Sequence, residues 1–141
     1  MGAYDCARAY RANSVLTASP GQLVLMLYDG ALRSLALTRE AFGQPEGDMT
    51  RIAVINKQLI KAQAIITELQ GTLNHDAGGE FSRQMESLYE YYNRRLIEAN
   101  LRKRVEPVIE VERLLTEVRN GWAEMLSKRD SAAPMPLQGV A

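Results

Sequence analysis

The sequence predicts an all-α protein, an antiparallel up-down-up-down four-helix bundle. Apolar residues recur at alternating steps of three and four along four segments of about 20 to 26 residues, the spacing of one buried helix face. Clusters of glycine, proline and polar residues separate these segments, and no alternating strand pattern competes with them. Because the connections are short, neighbouring helices are expected to run antiparallel.

One domain accounts for the whole chain. Its 141 residues are enough to bury a single core, and we find neither an internal repeat nor a second domain. We divide the chain into an N-terminal segment or cap at residues 1–19, the helical bundle at 20–128 and a C-terminal tail at 129–141. The tail is rich in small residues and proline, so we expect it to be mobile.

Composition and charge exclude several classes of function. The 17 basic residues balance the 17 acidic residues, so no electrostatic attraction to nucleic acid or to an anionic membrane is expected. No span approaches the roughly 18 consecutive apolar residues of a membrane-inserted helix. The N-terminus lacks the apolar core of a secretory signal. Cys6 is the only cysteine, which favours a reducing compartment.

The first predicted helix begins in TASPGQL and ends near Phe42. Thr17 or Ser19 can cap it, and Pro20 suits the first helical position, where a missing N–H costs nothing. Between residues 15 and 32 the apolar side chains cover nearly the whole circumference. Since a helix that is apolar all round must be covered on more than one side, we expect it to be the central, most covered helix of the bundle.

The second predicted helix spans roughly residues 48–73, with Asp48 or Thr50 as its cap. It ends at HDAGGE, which is interpreted as a loop. Its apolar residues form one regular stripe for packing in a bundle. That stripe consists of Ile52, Ile55, Leu59, Ala62, Ile66, Leu69 and Leu73.

The third predicted helix spans residues 80–102, and the fourth starts near Pro107 and gives way to the tail from Ser127. The inner stripe of the third helix consists of Phe81, Met85, Leu88, Tyr92, Leu96 and Ala99. That of the fourth consists of Val108, Val111, Leu115, Val118, Trp122 and Met125. Helical spacing also places Tyr89 beside Tyr92 at the core.

Apolar residues that fall off the inner stripes are the candidates for contact with a partner. At about 100° per residue they point away from the stripes or lie at their shoulders. They are Ile60, Ala64 and Ile65 on the second helix, Ile97 and Leu101 on the third, and Ile109 on the fourth. Contiguous exposed apolar patches mark interaction sites, whereas isolated residues do not. The residues alone leave both interpretations open.

Catalysis, metal binding and cofactor binding are not expected. His75 is the only histidine and lies in the predicted loop, which argues against His-assisted nucleophiles and multi-histidine metal sites. The sequence has no Glu-x-x-His pair and no glycine-rich phosphate loop. Stacking of nucleic-acid bases on the tyrosines near residue 90 is opposed by the neutral charge.

Three stretches, in the correct order, resemble the FliS flagellar export chaperones. The first is Tyr10 followed by NSVLTASPGQLVLMLYDGAL. The second is LIKAQAIITELQGTLN at residues 59–74, and the third is YEYYNRRLIEANLR at residues 89–102. The end of the fourth helix, including Trp122, is similar in pattern, so the resemblance covers about residues 4–126. The turns FGQPEGDM and NHDAGG and the longer tail depart from many relatives.

The resemblance implies a cytosolic, non-enzymatic chaperone with the fold of a four-helix bundle, to which a short extra N-terminal helix is sometimes added. Such a chaperone binds the disordered C-terminal segment of flagellin in hydrophobic surface grooves, prevents premature polymerisation and aids delivery to the flagellar export apparatus. On this chain the resemblance makes Tyr10 and Val15 residues of an N-terminal cap or its boundary. The leading groove residues become Ile60, Ala64 and Ile65, followed by Ile97, Leu101 and Ile109.

Two other classes of function were weighed against this one. In a self-associating structural bundle, the same off-stripe apolar residues would form a homodimer interface. A bundle hydrolase would need a second histidine or a cluster of metal ligands, and the sequence has neither.

Overall fold

The computed structural model describes residues 19–132, which form five helices. They are α1 (Pro20–Phe42), α2 (Met49–Gly71), α3 (His75–Gly78), α4 (Glu80–Arg102) and α5 (Glu106–Ala132). The predicted all-α helical bundle is confirmed, with α3 as an additional single turn. The expected extra N-terminal helix falls outside the described residues.

Side-chain caps set the starts of α1 and α2. The Ser19 hydroxyl accepts a hydrogen bond from the Gln22 N–H at 3.2 Å, and a proline follows at the first helical position. The Asp48 carboxylate accepts one from the Thr50 N–H at 2.9 Å, so Asp48 is the cap and Thr50 lies inside the helix. Each bond satisfies a backbone donor that has no partner within the helix.

The four long helices occupy the corners of a square. α1 packs against α2 and α5, and α4 packs against the same two helices from the opposite corner. The short connections make consecutive long helices antiparallel. The buried core lies between all four and consists mainly of Leu35, Ile55, Leu59, Ile66, Leu69, Tyr89, Tyr92, Leu96, Val108, Val111 and Leu115.

Two tyrosines join the diagonal helices through the centre of the bundle. The hydroxyls of Tyr28 on α1 and Tyr89 on α4 form a hydrogen bond of 2.5 Å, and both residues are buried. Burial raises the pKa of each, since it disfavours the phenolate. Burial also raises the pKa of Tyr92 to about 12. Tyr89 and Tyr92 therefore line the core, as predicted, and remain neutral at ordinary pH.

The predicted inner stripe of α4 is wrong at two positions. Phe81 is 56% exposed and Leu88 is 38% exposed, whereas Ser82 and Tyr89 are buried in their place. The Ser82 hydroxyl donates to the Asn74 carbonyl at 3.0 Å, and Tyr89 is paired as described above. A polar side chain can enter a core once its hydrogen bond is made, so the more apolar neighbour need not face inward.

The predicted stripe of α5 is wrong at its far end. Met125 is 43% exposed, and Leu126 is buried instead. Steps of three and four repeat every 3.5 residues, while the helix turns every 3.6, so the buried face moves by about 20° per heptad. α5 also continues to Ala132, past the predicted bundle boundary at residue 128 and the tail expected from Ser127. Residues 133–141 lie outside the described range.

The segment interpreted as a loop, HDAGGE, contains the short helix α3. The Asn74 side chain caps it by accepting a hydrogen bond from the Ala77 N–H at 3.1 Å. The chain then reverses at Gly79, whose positive φ of 54° is accessible to glycine without a steric penalty. The prediction of a break here is correct, but the prediction of an irregular loop is wrong.

The expectation that α1 is the central, most covered helix is met in part: among the described residues its packing is the most extensive, but it does not lie at the centre of the bundle. α1 has two long-helix neighbours, as α4 does. Between residues 19 and 32 only Tyr28 and Ala31 are fully buried, and further along α1 Leu37 is 40% exposed. Met26 is 38% exposed. Within residues 19–132, part of the apolar coat of α1 is therefore left uncovered.

We expect the two central hydroxyls to be energetically coupled. Tyr28→Phe or Tyr89→Phe alone leaves one buried hydroxyl without its partner, at a cost of about 1–3 kcal/mol in the free energy of unfolding. The double variant removes both hydroxyls, so its loss should be smaller than the sum of the two single losses. Denaturant unfolding followed by circular dichroism measures all three. Additive losses would show that the hydroxyls do not stabilise each other.

Candidate functional site

Two hydrogen bonds between α2 and α4 fix the register of these antiparallel helices. The Asn93 amide donates to the Thr67 hydroxyl at 3.3 Å, and the Lys103 ammonium donates to the Asn56 amide oxygen at 2.8 Å. The two bonded positions are eleven residues apart on α2 and ten residues apart on α4. They therefore mark out about 15 Å of the seam between the helices. Residue positions 60 and 64 on α2 therefore lie level with positions near 100 and 96 on α4.

Four exposed apolar residues lie along this length of the seam. Ile60 is 61% exposed, Ile97 is 47% exposed and Leu101 is 81% exposed, and Ala64 is also exposed. Residues four apart share one face of a helix, which places Ile60 with Ala64 and Ile97 with Leu101. Ile60 lies on the same flank of α2 as Asn56 and Thr67, and Ile97 on the same flank of α4 as Asn93, so we infer that the two pairs border the same seam. We call these four residues the α2–α4 patch.

The seam on the opposite side of the bundle is closed by charges. Arg39 makes two hydrogen bonds to the Glu112 carboxylate, at 2.8 and 3.1 Å, across α1 and α5. Arg119 binds Asp29 at 2.8 Å across the same helices. These paired, hydrogen-bonded charges are strong interactions that link α1 to α5 across the seam.

The seam between α4 and α5 is closed in a similar way. The Glu110 carboxylate accepts hydrogen bonds from Arg95 at 2.6 Å and from the Tyr91 hydroxyl at 2.7 Å, and Arg95 also binds Glu98. The Arg95 guanidinium, followed by the Tyr91 hydroxyl, lowers the pKa of Glu110. Glu110 therefore stays ionised, and the seam remains a polar link between the two helices.

Two of the groove residues named from the sequence lie away from the α2–α4 patch. Ile65 is half-buried and packs on the side of α2 that faces α1, where a Cβ added to Gly30 would lie 3.5 Å from its Cδ1 atom. Ile109 is 47% exposed but borders the shallow charged depression that includes Arg39 and Glu112. The helix register therefore assigns Ile60, Ala64, Ile97 and Leu101 to one side of the bundle, whereas Ile65 and Ile109 lie elsewhere. Tyr10 and Val15 lie outside the described residues.

A second apolar feature, which sequence reasoning missed, is a cavity of about 290 Å³ at one end of the bundle. Residues from α1, α3, α4 and α5 and from the connection between α2 and α3 line it, including Val24, Tyr28, Phe81, Met85 and Trp122. The Trp122 indole N–H donates to the Gly21 carbonyl at 2.9 Å, so the start of α1 is fixed beside the cavity. The only signal of this cavity in the sequence is an aromatic residue, Phe81, directly after a helix break.

Neither a group of metal ligands nor a membrane-spanning helix is found among residues 19–132. Within residues 19–132 no group of three or more histidine, aspartate or glutamate side chains is arranged to hold a metal ion. In the same range no helix combines the length and the apolar character needed to cross a membrane. The exposed apolar residues of the α2–α4 patch can bury apolar side chains of another segment.

Comparison with known proteins gives a consistent picture. The model of the family described as flagellar protein FliS matches residues 3–129, which include both helices of the patch. The flagellar secretion chaperone FliS of Bacillus subtilis (strain 168) is 42% identical over 118 residues, 84% of each chain. That of Salmonella typhimurium is 37% identical over 117 residues, covering 82% of this chain and 83% of the relative. That of Escherichia coli (strain K12) is 33% identical over 114 residues, 81% of each chain.

The contrast between Ile60 and its neighbour Leu59 tests whether the patch is surface or core. Ile60→Asp should lower the free energy of unfolding by about 1 kcal/mol or less, because the side chain is mostly exposed. Leu59→Asp should lower it by more than about 4 kcal/mol, because Leu59 is fully buried and the charge has no partner there. Thermal and denaturant unfolding measure both. A comparable loss for Ile60→Asp would place Ile60 in the core.

Proposed function

The chain belongs to the FliS family of flagellar secretion chaperones, and we propose that it binds the disordered C-terminal segment of flagellin on the α2–α4 patch. Family membership gives the chain the role of a flagellar export chaperone. The observation that supports the site is the exposure of Ile60, Ile97 and Leu101 on one surface between two fixed cross-links. A contiguous apolar surface of this kind marks an interaction site.

The proposed mode of binding is an amphipathic helix in a groove. A flagellin segment that forms helices in the filament core carries an apolar face that would otherwise seek other flagellin subunits. Laid along the seam between α2 and α4, that face would be buried against the patch. Premature polymerisation is prevented because the same face cannot contact two partners at once. The activity is binding alone, without catalysis and without a cofactor.

The energetics indicate that the patch is one part of a longer contact. Burying the exposed fractions of Ile60, Ile97 and Leu101 contributes roughly 3–6 kcal/mol. Ordering a disordered segment costs about 2–5 kcal/mol, and association has a further entropic cost. The flagellin segment must therefore cover additional apolar surface, for which the exposed side chains of Met26 and Leu37 on α1 are available.

We also propose that residues 1–19 act as a cap on the free chaperone, with Tyr10 and Val15 among its contacts. Three features support this proposal. The cap would join the bundle at Ser19. Val24, which lines the end cavity, lies about one helical turn further along the chain. Met26 and the cavity provide apolar surface within reach of this segment. A tethered segment needs little intrinsic affinity, since its effective concentration is high.

The place of action that we propose is the bacterial cytosol, from which the bound flagellin is delivered to the flagellar export apparatus. Binding to nucleic acid or insertion into a membrane is not part of the proposal, in agreement with the balanced charge of 17 basic and 17 acidic residues. Release at the export apparatus then requires only competition for the apolar surface or unfolding of the complex.

Deletion of the flagellin C-terminal segment should abolish co-purification of flagellin with this protein. In a titration with a peptide of that segment, Ile60→Asp should weaken binding about tenfold or more, because a charge would then face the buried apolar contact. Ile109→Asp is the matched control on the opposite side of the bundle and should change binding far less. Calorimetry measures the affinities, and circular dichroism the helix formed on binding.

Two results would contradict this proposal. Retained binding after deletion of the C-terminal segment would exclude that segment as the partner. A tight homodimer, detected by sedimentation of the isolated protein and abolished by Ile60→Asp, would assign the patch to self-association.

Removal of residues 1–18 tests the proposed cap. Trp122 is the only tryptophan and lies in the lining of the end cavity, so loss of a cover should shift its fluorescence emission to longer wavelength. The flagellin peptide should also bind several-fold more tightly, since it no longer competes with the cap. Removal of residues 133–141 is the control and should change neither. Unchanged emission and affinity after the N-terminal deletion would refute the cap.

A further inference from the structure

The wall of the end cavity contains a hydroxyl hydrogen that has no acceptor among residues 19–132. The hydroxyls of Tyr28 and Tyr89, which both line the cavity, are hydrogen-bonded to each other. Each hydroxyl carries one hydrogen, so their mutual bond uses one hydrogen and leaves the other to be donated. Both side chains are only 2% exposed. A buried donor costs free energy unless an acceptor reaches it.

The same cavity also offers a hydrogen-bond acceptor. The Ser82 hydroxyl lines the cavity and donates its hydrogen to the Asn74 carbonyl at 3.0 Å. In the described part of the chain no donor is directed at the Ser82 oxygen, so its lone pairs are available. Much of the remaining lining is apolar or aromatic, with Val24, Phe81 and Trp122 among it. The cavity therefore matches a group with an apolar body and one hydroxyl, which both accepts and donates.

Size and chemistry together select a phenol ring from the N-terminal segment. A cavity of about 150 Å³ is large enough for benzene, and the end cavity has about 290 Å³. Among residues 1–18 the aromatic side chains are those of Tyr4 and Tyr10. The side chains of Val15 and Leu16 would fill apolar space but have no hydroxyl to complete the hydrogen bonds.

Residues 1–18 join the bundle beside this cavity. Ser19 caps α1, and the first turn of α1 is bonded to the indole of Trp122 in the cavity lining. Tyr10 lies nine residues before Ser19, a reach of up to about 30 Å. Tyr28 lies only about 14 Å along α1 from Ser19. Tyr10 is therefore within reach of the cavity, and its shorter tether gives it a higher effective concentration there than Tyr4 has.

We infer that the phenol ring of Tyr10 occupies the end cavity of the free chaperone. Its hydroxyl oxygen accepts the remaining hydrogen of the Tyr28–Tyr89 pair, and its own hydrogen is donated to the Ser82 hydroxyl. This inference rests on the proposed cap and adds to it one anchoring side chain with a defined place of contact. Because three tyrosine hydroxyls then form one chain of hydrogen bonds, the cap is linked to the centre of the bundle.

Methyl NMR of the full-length protein without flagellin tests the contact directly. Met85 lines the cavity, so its methyl group should show nuclear Overhauser contacts with the ring protons of Tyr10. Tyr10→Ala should remove these contacts and move the Met85 methyl resonance. Tyr4→Ala is the matched control in the same segment and should change neither. Absence of the contacts in the wild type would overturn the inference, and so would an equal effect of Tyr4→Ala.

Titration with a peptide of the flagellin C-terminal segment tests the hydroxyl separately from the ring. Tyr10→Phe should tighten peptide binding about threefold, because the cap keeps its ring but loses its hydrogen bonds. In a protein that already carries Tyr28→Phe and Tyr89→Phe, the same substitution should have a smaller effect, since no central hydroxyl is left. An equal effect in both proteins would contradict the bond between Tyr10 and the central pair.

Failure of this inference is separable from failure of the proposed function. If removal of residues 1–18 shifts the Trp122 emission while Tyr10→Ala has no effect, the cap stands and Tyr10 is excluded as its anchor. If the removal itself has no effect, the cap and its anchor fail together. The titration of Ile60→Asp tests the flagellin site independently of either result.

Discussion

The register between α2 and α4 is the constraint on which the proposed site depends. Two side-chain hydrogen bonds, Asn93 to Thr67 and Lys103 to Asn56, hold these antiparallel helices at fixed levels. If α4 were shifted by one residue relative to α2, a different side chain would occupy the position of Ile97 beside the seam. The reason is that each residue turns the helix by about 100°. The patch is therefore a consequence of how two helices are aligned, as well as of which residues they carry.

The four seams of the bundle differ in the interactions that close them. Ion pairs such as Arg39–Glu112 and Arg95–Glu110 close the two seams that involve α5. α1 and α2 pack closely through apolar contacts, with Ile65 near Gly30. Between α2 and α4, the side chains of residues 19–132 form two hydrogen bonds, and large apolar side chains remain exposed on these helices. The binding of an apolar segment is proposed for this seam, and the exposed side chains there are separate from the buried core.

Much of the fold could be predicted from the sequence because its signals are local. The caps at Ser19 and Asp48 and the stripe of α2 depend on residues within one or two turns of each other. The errors arose where distant residues decide the outcome. Ser82 is buried because the Asn74 carbonyl accepts its hydrogen bond, whereas hydrophobicity alone favoured its neighbour Phe81. Tyr89 is buried as predicted, but Leu88 beside it is exposed, because Tyr28 meets Tyr89 from the opposite helix.

The candidate site could be predicted only in part for the same reason. Helical spacing shows that Ile60 and Ile97 point away from the core, but it contains no information on which helices are neighbours. Ile109 has the same local signature and lies on the other side of the bundle, and Ile65 packs against α1. The end cavity is built by four helices and the connection between α2 and α3, and it has almost no local signal.

The central claim is that the flagellin C-terminal segment binds across α2 and α4. The most direct test is methyl NMR of the full-length protein during titration with that segment. The methyl resonances of Ile60, Ile97 and Leu101 should shift together and with the same apparent affinity, while that of Ile109 stays in place. Shifts at Ile109 with an unchanged α2–α4 patch would place the partner on the opposite side of the bundle and contradict the account.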